Sequence, residues 1–510
     1  MSRIPAIGFG IVIAVPLAAQ NGAARTGDPT VPAAIAAIRE SDLRRDLFTL
    51  AGDDMRGREA GTLDELRASM WIAEQMRRIG VQPAGEKGSW FQWWQMRQTR
   101  ISTPVSSVRI ADRALNLWTD ITPTNNATGD ITATTAFVND VSDSTVDIRG
   151  KVAVAALVAP PPASIRTTTN TYEYNYARAA LTAQGGALTR RGAAAVILVA
   201  DSIAESVFQP IAIVQQRGMY DVIGGAPRFV RTLGVTPPAN PPVRPVPVLL
   251  AHHSALAELR VDGTPVEIHI RPETFATPSV NIIGVVRGTD PKLRDEYVLF
   301  SAHQDHDGVR YPVAGDSIWN GADDNGSTSV ALLAIARAFV KQPARRSALF
   351  VFHGAEERGL LGSRYHAVNP VVPLDKIVAV LNGDMIGRNN PDTAALLGSQ
   401  PPHRNSLALV NIALDANRAV SPFVIDSSWD RPNHPEGWYF RSDHVPYAER
   451  KVAAVYFSTL LHSDYHTPRD EPQRIDYAKL TRMAKWMYLT GWNVANARTR
   501  PPIDSGFVLR

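Results

Sequence analysis

Four short apolar runs in this chain each run out onto a histidine or a carboxylate, and this pattern limits the fold more than any other. Tyr297 to Ala302 leads into His303-Gln304-Asp305, and Ala348 to Phe352 leads into His353-Gly354-Ala355-Glu356-Glu357. Ile377 to Leu381 leads towards Asp384, and Val452 to Phe457 leads towards Tyr465-His466. Runs this apolar read as strands buried on both faces of an α/β sheet. Ligands of open α/β sheets bind beyond the carboxyl ends of the strands. The polar residues after the four runs are therefore expected to meet at one sheet edge.

What they would do there follows from their chemistry. Between the first two strand ends lies Gly321-Ala322-Asp323-Asp324-Asn325-Gly326-Ser327, just before an amphipathic helical stretch from Val330 to Val340. Imidazole nitrogen and carboxylate oxygen are good Zn²⁺ donors, and a chain with no cysteine has no thiolate site. Hydrolytic sites with two metals need a bridging carboxylate and terminal ligands on each side. Taken singly, a Glu-Glu pair is usually a solvated surface and an Asp-Asp-Asn a turn or helix cap. Only their joint order after buried strands points to a metal site.

That order is His303-x-Asp305, Asp323-Asp324-Asn325-Gly326-Ser327, and Glu356-Glu357-x-Gly359-Leu360-x-Gly362-Ser363. It continues with Gly383-Asp384-Met385-Ile386-Gly387-Arg388, Ser442-Asp443-His444 and Tyr465-His466-Thr467-Pro468-x-Asp470. It resembles the co-catalytic di-zinc aminopeptidases of peptidase family M28. The resemblance implies an α/β fold with a zinc-exopeptidase-type mixed central sheet flanked by helices. It further implies two Zn²⁺ per chain, with His303 and Asp384 on one and Glu357 and His466 on the other. Asp324, three positions before Ser327, would bridge them. Glu356 resembles the general base that takes a proton from a metal-activated water, and Tyr465 a hydrogen-bond donor to the oxyanion. Asp305 would support the His303 imidazole and Asp470 that of His466. Arg441, Asp443 and His444 would line or support the substrate pocket. His306, His353, His366, His434 and His462 lie near the motifs, but the ligand set is complete without them.

The rest of the chain organises around this segment. Arg3 followed by the apolar stretch Ile4 to Ala19 reads as a signal peptide over 1–24, and residues 25–42 read as a linker. Such a leader implies export to a periplasm or the medium, with no stable membrane span after cleavage; no cysteine follows it to carry a lipid. A first peptidase segment is expected over 43–125. Within it, Thr62-Leu63-Asp64-Glu65 reads as a capping box and Gly80 as the C-cap of one helix. Residues 126–275 change character, with short β-rich runs and many prolines. Arg149-Gly150-Lys151-Val152 and Arg191-Gly192-Ala193-Ala194 resemble an inserted, β-rich protease-associated domain. The catalytic segment then resumes over 276–510 and closes with an amphipathic helix from about Tyr477.

Charge excludes one class of partner. A net charge of +4 over 510 residues, with no basic stripe interleaved with aromatics, does not support nucleic-acid binding. The expected partner is a peptide, and the expected activity is that of an aminopeptidase. Three rivals stay open. A carboxypeptidase of the glutamate-carboxypeptidase type would need a basic cluster, to which Arg431 and Arg441 are the candidates. A glutaminyl-cyclase-like transferase resembles the fold but uses one zinc. A non-catalytic binding protein on the same scaffold would not need Glu356.

Overall fold

Alternation along the four apolar runs divides their side chains between two cores. The computed structural model describes residues 31–165, 171–227 and 245–509; the expected signal peptide at 1–24 lies outside them. The runs form strands β1 (Tyr297–His303), β2 (Ser347–His353), β3 (Ile377–Gly383) and β4 (Ala454–Ser458). They pair in parallel in the order β4-β3-β1-β2 at the centre of a ten-stranded mixed sheet. Val298, Phe300, Phe350, Leu381 and Phe457 enter one core, whereas Leu299, Leu349, Val351 and Val380 enter the other. Both faces are covered, which is why the runs carry so few polar residues. Each buried Phe or Leu stabilises the fold by about 1.5–3 kcal/mol. The Phe300 and Phe350 rings stack across the β1–β2 pair at 5.3 Å.

Helices close the first face. Helix α1 (Leu63–Ile79) begins where Thr62 Oγ1 accepts the N–H groups of Asp64 and Glu65. It ends at Gly80, whose φ of 95° is the left-handed cap. Only half of the expected capping box forms. The Glu65 carboxylate bypasses Thr62 and accepts from Gly61 N–H and Ser279 Oγ, both at 2.7 Å, which ties the helix to the sheet. Helices α2 (Thr328–Lys341) and α3 (Tyr477–Asn496) pack beside it in the same core.

Two expected boundaries move. Residues 31–42, read as part of a linker, are ordered. A short turn at Ala33–Ala37 buries Ala34, with Ile38 buried just after it, and a helix at Glu40–Leu50 buries Leu43, Leu47 and Leu50 at helical spacing. The insert also begins earlier than residue 126. Its eight-stranded sheet runs from Ser107–Ile110 to Pro265–Ile270. It is also less purely β than its sequence implies. Parallel strands at Val152–Ala156, Ala195–Val199 and Val248–Ala251 pack against a 19-residue helix, Tyr172–Arg190.

The insert contributes one strand to the central sheet. Phe91–Ile101 pairs along its whole length with the 15-residue strand Pro272–Val286, whose last five residues pair with β2. The insert's strand Met219–Ile223 crosses back to pair with Phe91–Ile101. Among the described residues, no helix is long and apolar enough to cross a membrane.

Candidate metal centre

Register sets the site. His303 lies level with His353 across β1–β2, and Gly383 with Phe457 across β3–β4, so all four strands stop at one edge. At the last residue of β1, His303 is fully buried, with Nε2 3.2 Å from Asp324 Oδ1 and 3.5 Å from Asp384 Oδ1. Beyond the turn that follows β4, His466 Nε2 lies 3.1 Å from Asp324 Oδ2 and 3.2 Å from Glu357 Oε2. The two carboxylate oxygens of Asp324 thus face two separate groups of side chains. His303, Asp324, Glu357, Asp384 and His466 come together here. Glu356 joins them, with Oε2 3.8 Å from His303 Nε2.

The donor set fits a divalent cation. His303 Nε2 and Asp384 Oδ1 are buried, face each other, and have no hydrogen-bond partner. Buried polar atoms left in that state are costly, and a cation between them would satisfy both. Burial opposes a charge on His303, yet Glu356 and Asp384 hold its pKa well above the usual imidazole range. Burial likewise opposes a charged His466, but Glu357, Asp307 and Asp324 push its pKa up to about 10. Protons therefore occupy these imidazoles at neutral pH when no metal does. Metal uptake should release them, and affinity should fall as the pH is lowered. Calorimetry in buffers of different ionisation enthalpy checks this; heats independent of the buffer would rule it out.

Supporting contacts differ in part from the expectation. His303 Nδ1 is 3.1 Å from the Asp305 backbone carbonyl, and 3.9 Å from its carboxylate. The imidazole is oriented by main chain. The Asp305 carboxylate instead accepts the N–H groups of Glu356 and Glu357, at 3.0 and 3.3 Å, and so shapes the turn that presents them. Ala355 at the head of that turn has φ 54°, a left-handed conformation of the kind that collects at functional sites. Asp470 does not support His466. It accepts from the N–H groups of Asp323 and Asp324, each at 3.0 Å, because the two loops meet head-on there. The carboxylate beside His466 Nδ1 is Asp307, at 3.6 Å. Asp384 is steadied by a chain in which Ser301 donates to Asn382, Asn382 to Ser442, and Ser442 to Asp384 Oδ2 at 2.8 Å.

A cavity of about 620 Å³ opens onto these groups. Leu360, Met385, Trp438 and Phe440 give it an apolar wall, and Arg217, Met219 and Tyr220 of the insert close another side. Tyr465 lines it with its ring stacked on His466 at 3.9 Å, and its hydroxyl accepts from Arg441 at 2.8 Å. Arg441 lines the cavity. Asp443 and His444 do not: both are fully buried, His444 edge-on to the Tyr439 ring. Burial pushes the Asp443 pKa up to about 7 and that of His444 down to about 3, so the imidazole is neutral.

Burial, opposed by His303 and reinforced by Glu357 and Asp384, also lifts Glu356 well above the usual carboxylate range. A carboxylate in that state is a better proton acceptor. Three residues here were not among the expected site residues: His306, set aside because the ligand set looked complete without it, and Asp307 and Arg58, which were not singled out. The first two had a signal, since they complete a run from His303 to Asp307 too rich in acid and imidazole for a solvated loop. Arg58 had none.

Residues 281–490 match the sequence profile of Peptidase family M28. Aminopeptidase YwaD of Bacillus subtilis is 28% identical over 210 residues, 40% of this chain and 42% of that protein. Leucine aminopeptidase 1 of Trichophyton equinum is 35% identical over 113 residues, 21% of this chain and 29% of its own length. The chain thus spans less than half the length of these curated relatives. Among solved structures, a zinc aminopeptidase from Bacillus subtilis superposes with a TM-score of 0.55 at 18% identity, covering 94% of this chain and 100% of that one. The aminopeptidase from Aneurinibacillus sp. strain AM-1 gives 0.53 at 18%, covering 92% and 97%. At such identities the likeness establishes the fold alone.

Proposed function

We propose that this chain, whose residues 281–490 match Peptidase family M28, is a two-zinc aminopeptidase acting on peptides with a free N-terminus. One observation carries the reading: Asp324 turns one oxygen to His303 and the other to His466, so that two cation positions share a carboxylate. Zinc, when bound, supplies Lewis acidity and lowers the pKa of a bound water to about 7. The chain's own groups do the rest. Glu356 accepts a proton at its carboxylate and later returns it to the departing amine. Tyr465, held by Arg441, offers its hydroxyl proton to the carbonyl oxygen as charge develops there. The apolar wall of Leu360, Met385, Trp438 and Phe440 excludes water and receives a side chain. The insert, read as a protease-associated domain, walls the cavity for the rest of the peptide through Arg217 to Tyr220.

One observation favours a second reading. Arg217, Arg310 and Arg358 also line the cavity, a basic group of the kind a carboxypeptidase needs. Glu59 and Asp307 already pair with them, however. Free and N-acetylated peptides, with products read by mass spectrometry, separate the two. An aminopeptidase should leave the acetylated set intact; cleavage of acetylated peptides from the carboxyl end would sink the proposal.

A further inference from the structure

We propose that His306 is a fourth protein ligand of the Glu357/His466 metal position, binding through Nδ1. That position is then closed by protein groups, whereas the His303/Asp384 position, with Asp324, keeps an open coordination site. The inference rests on the two-metal reading above.

His306 is fully buried at the centre of the donor cluster. Its Nδ1 lies 2.8 Å from Glu357 Oε1 and 4.0 Å from Asp324 Oδ2. One ligand atom each from His306, Asp324, Glu357 and His466 can be chosen so that all lie within 4.8 Å of one another. Tetrahedral zinc with bonds near 2.0–2.1 Å holds its ligand atoms about 3.3 Å apart. The separations of 2.8, 3.1, 3.2 and 4.0 Å between His306 or His466 and the two carboxylates bracket that value. The two imidazoles meet edge to face, 83° apart with centroids at 5.4 Å, so they approach from different directions, as two ligands of one ion must.

The ring is also held in place. Gly321, at φ 59°, lies directly against it, and a Cβ there would collide with His306 Cγ and Cδ2. The His306 N–H donates to the Arg58 carbonyl at 3.3 Å. The glycine that opens the Asp323-Asp324 loop is therefore also the one that admits this imidazole. On the other side of Asp324, His303 and Asp384 complete a three-residue cluster, and Glu356 stands beside it, grouped with His303 and Glu357. Sites closed by four protein groups are structural, and those with three keep a place for water or substrate. The chemistry is thereby assigned to the His303 side, within reach of Glu356.

Two variants test this on the full chain loaded with zinc or cobalt. In His306→Asn the amide nitrogen stands near the place of Nδ1 and can still donate to Glu357, but an amide is a poor zinc donor. Chelator competition should show one metal bound as in the parent and the second weakened on the order of 100-fold or more, above the usual effect of losing a mere orienting partner. Cysteine is a zinc ligand and this chain has no other, so the cobalt form of His306→Cys should show a thiolate-to-cobalt charge-transfer band absent from the parent. A parent with two metals, an asparagine variant with both affinities unchanged, and no such band from the cysteine variant would overturn the ligand role alone. A parent that takes up fewer than two metals would overturn the two-metal reading and this assignment with it.

Discussion

Glu356→Gln should lower kcat by about 10²–10⁴-fold while both metals stay bound. The argument is geometric. Glu356 Oε2 is 3.8 Å from His303 Nε2, at the cluster but outside the four-donor group around His466. Its N–H is tied to Asp305, so an amide in its place would occupy the same position without accepting a proton. Steady-state kinetics beside metal analysis reads both quantities. A variant with near-parental kcat would remove Glu356 from proton transfer, and one that lost a metal would make it a ligand instead.

Arg58→Met should be the most destabilising single change in this region, by on the order of 3–5 kcal/mol. The guanidinium is fully buried and donates to the carbonyls of Gln304, Leu50, Asn320 and Gly321 at 2.7, 3.1, 2.6 and 2.9 Å. Methionine fills much of the volume and leaves all four acceptors without a donor. Two of those carbonyls flank the loop that carries Asp324, and one sits next to His303, so metal affinity should fall together with stability. Burial lowers the Arg58 pKa only to about 10, so the charge persists through neutral pH. Denaturant titration of the metal-free and metal-loaded forms checks this. An unchanged midpoint in both would mean that the carbonyls find other donors.

These two residues mark the limits of what could be read without coordinates. The Glu356-Glu357 pair was legible because its meaning is local. An apolar run delivers it to a strand end, and adjacency on a tight turn points the two carboxylates at different groups. The same holds for His303 at the end of its strand, for Asp384 and His466 after theirs, and for the helix caps at Thr62 and Gly80. Asp305 and Asp470 were placed in the right neighbourhood but given the wrong partners. A carboxylate near a histidine in sequence can equally well accept main-chain N–H groups, and which it does depends on how two loops meet.

Read alone, the sequence marks the four strands and the order in which His303, Asp324, Glu357, Asp384 and His466 follow them, because hydrophobic periodicity and side-chain chemistry act over a few residues. Only the tertiary structure decided the rest. It turned Arg58 into the tie between loops 262 or more residues away. It set Asp307 beside His466, brought His306 through the gap left by Gly321, and laid the insert's Arg217 along the cavity wall. Each of these depends on close packing between segments far apart in the chain, and no local pattern records which distant carbonyl or ring will be the neighbour.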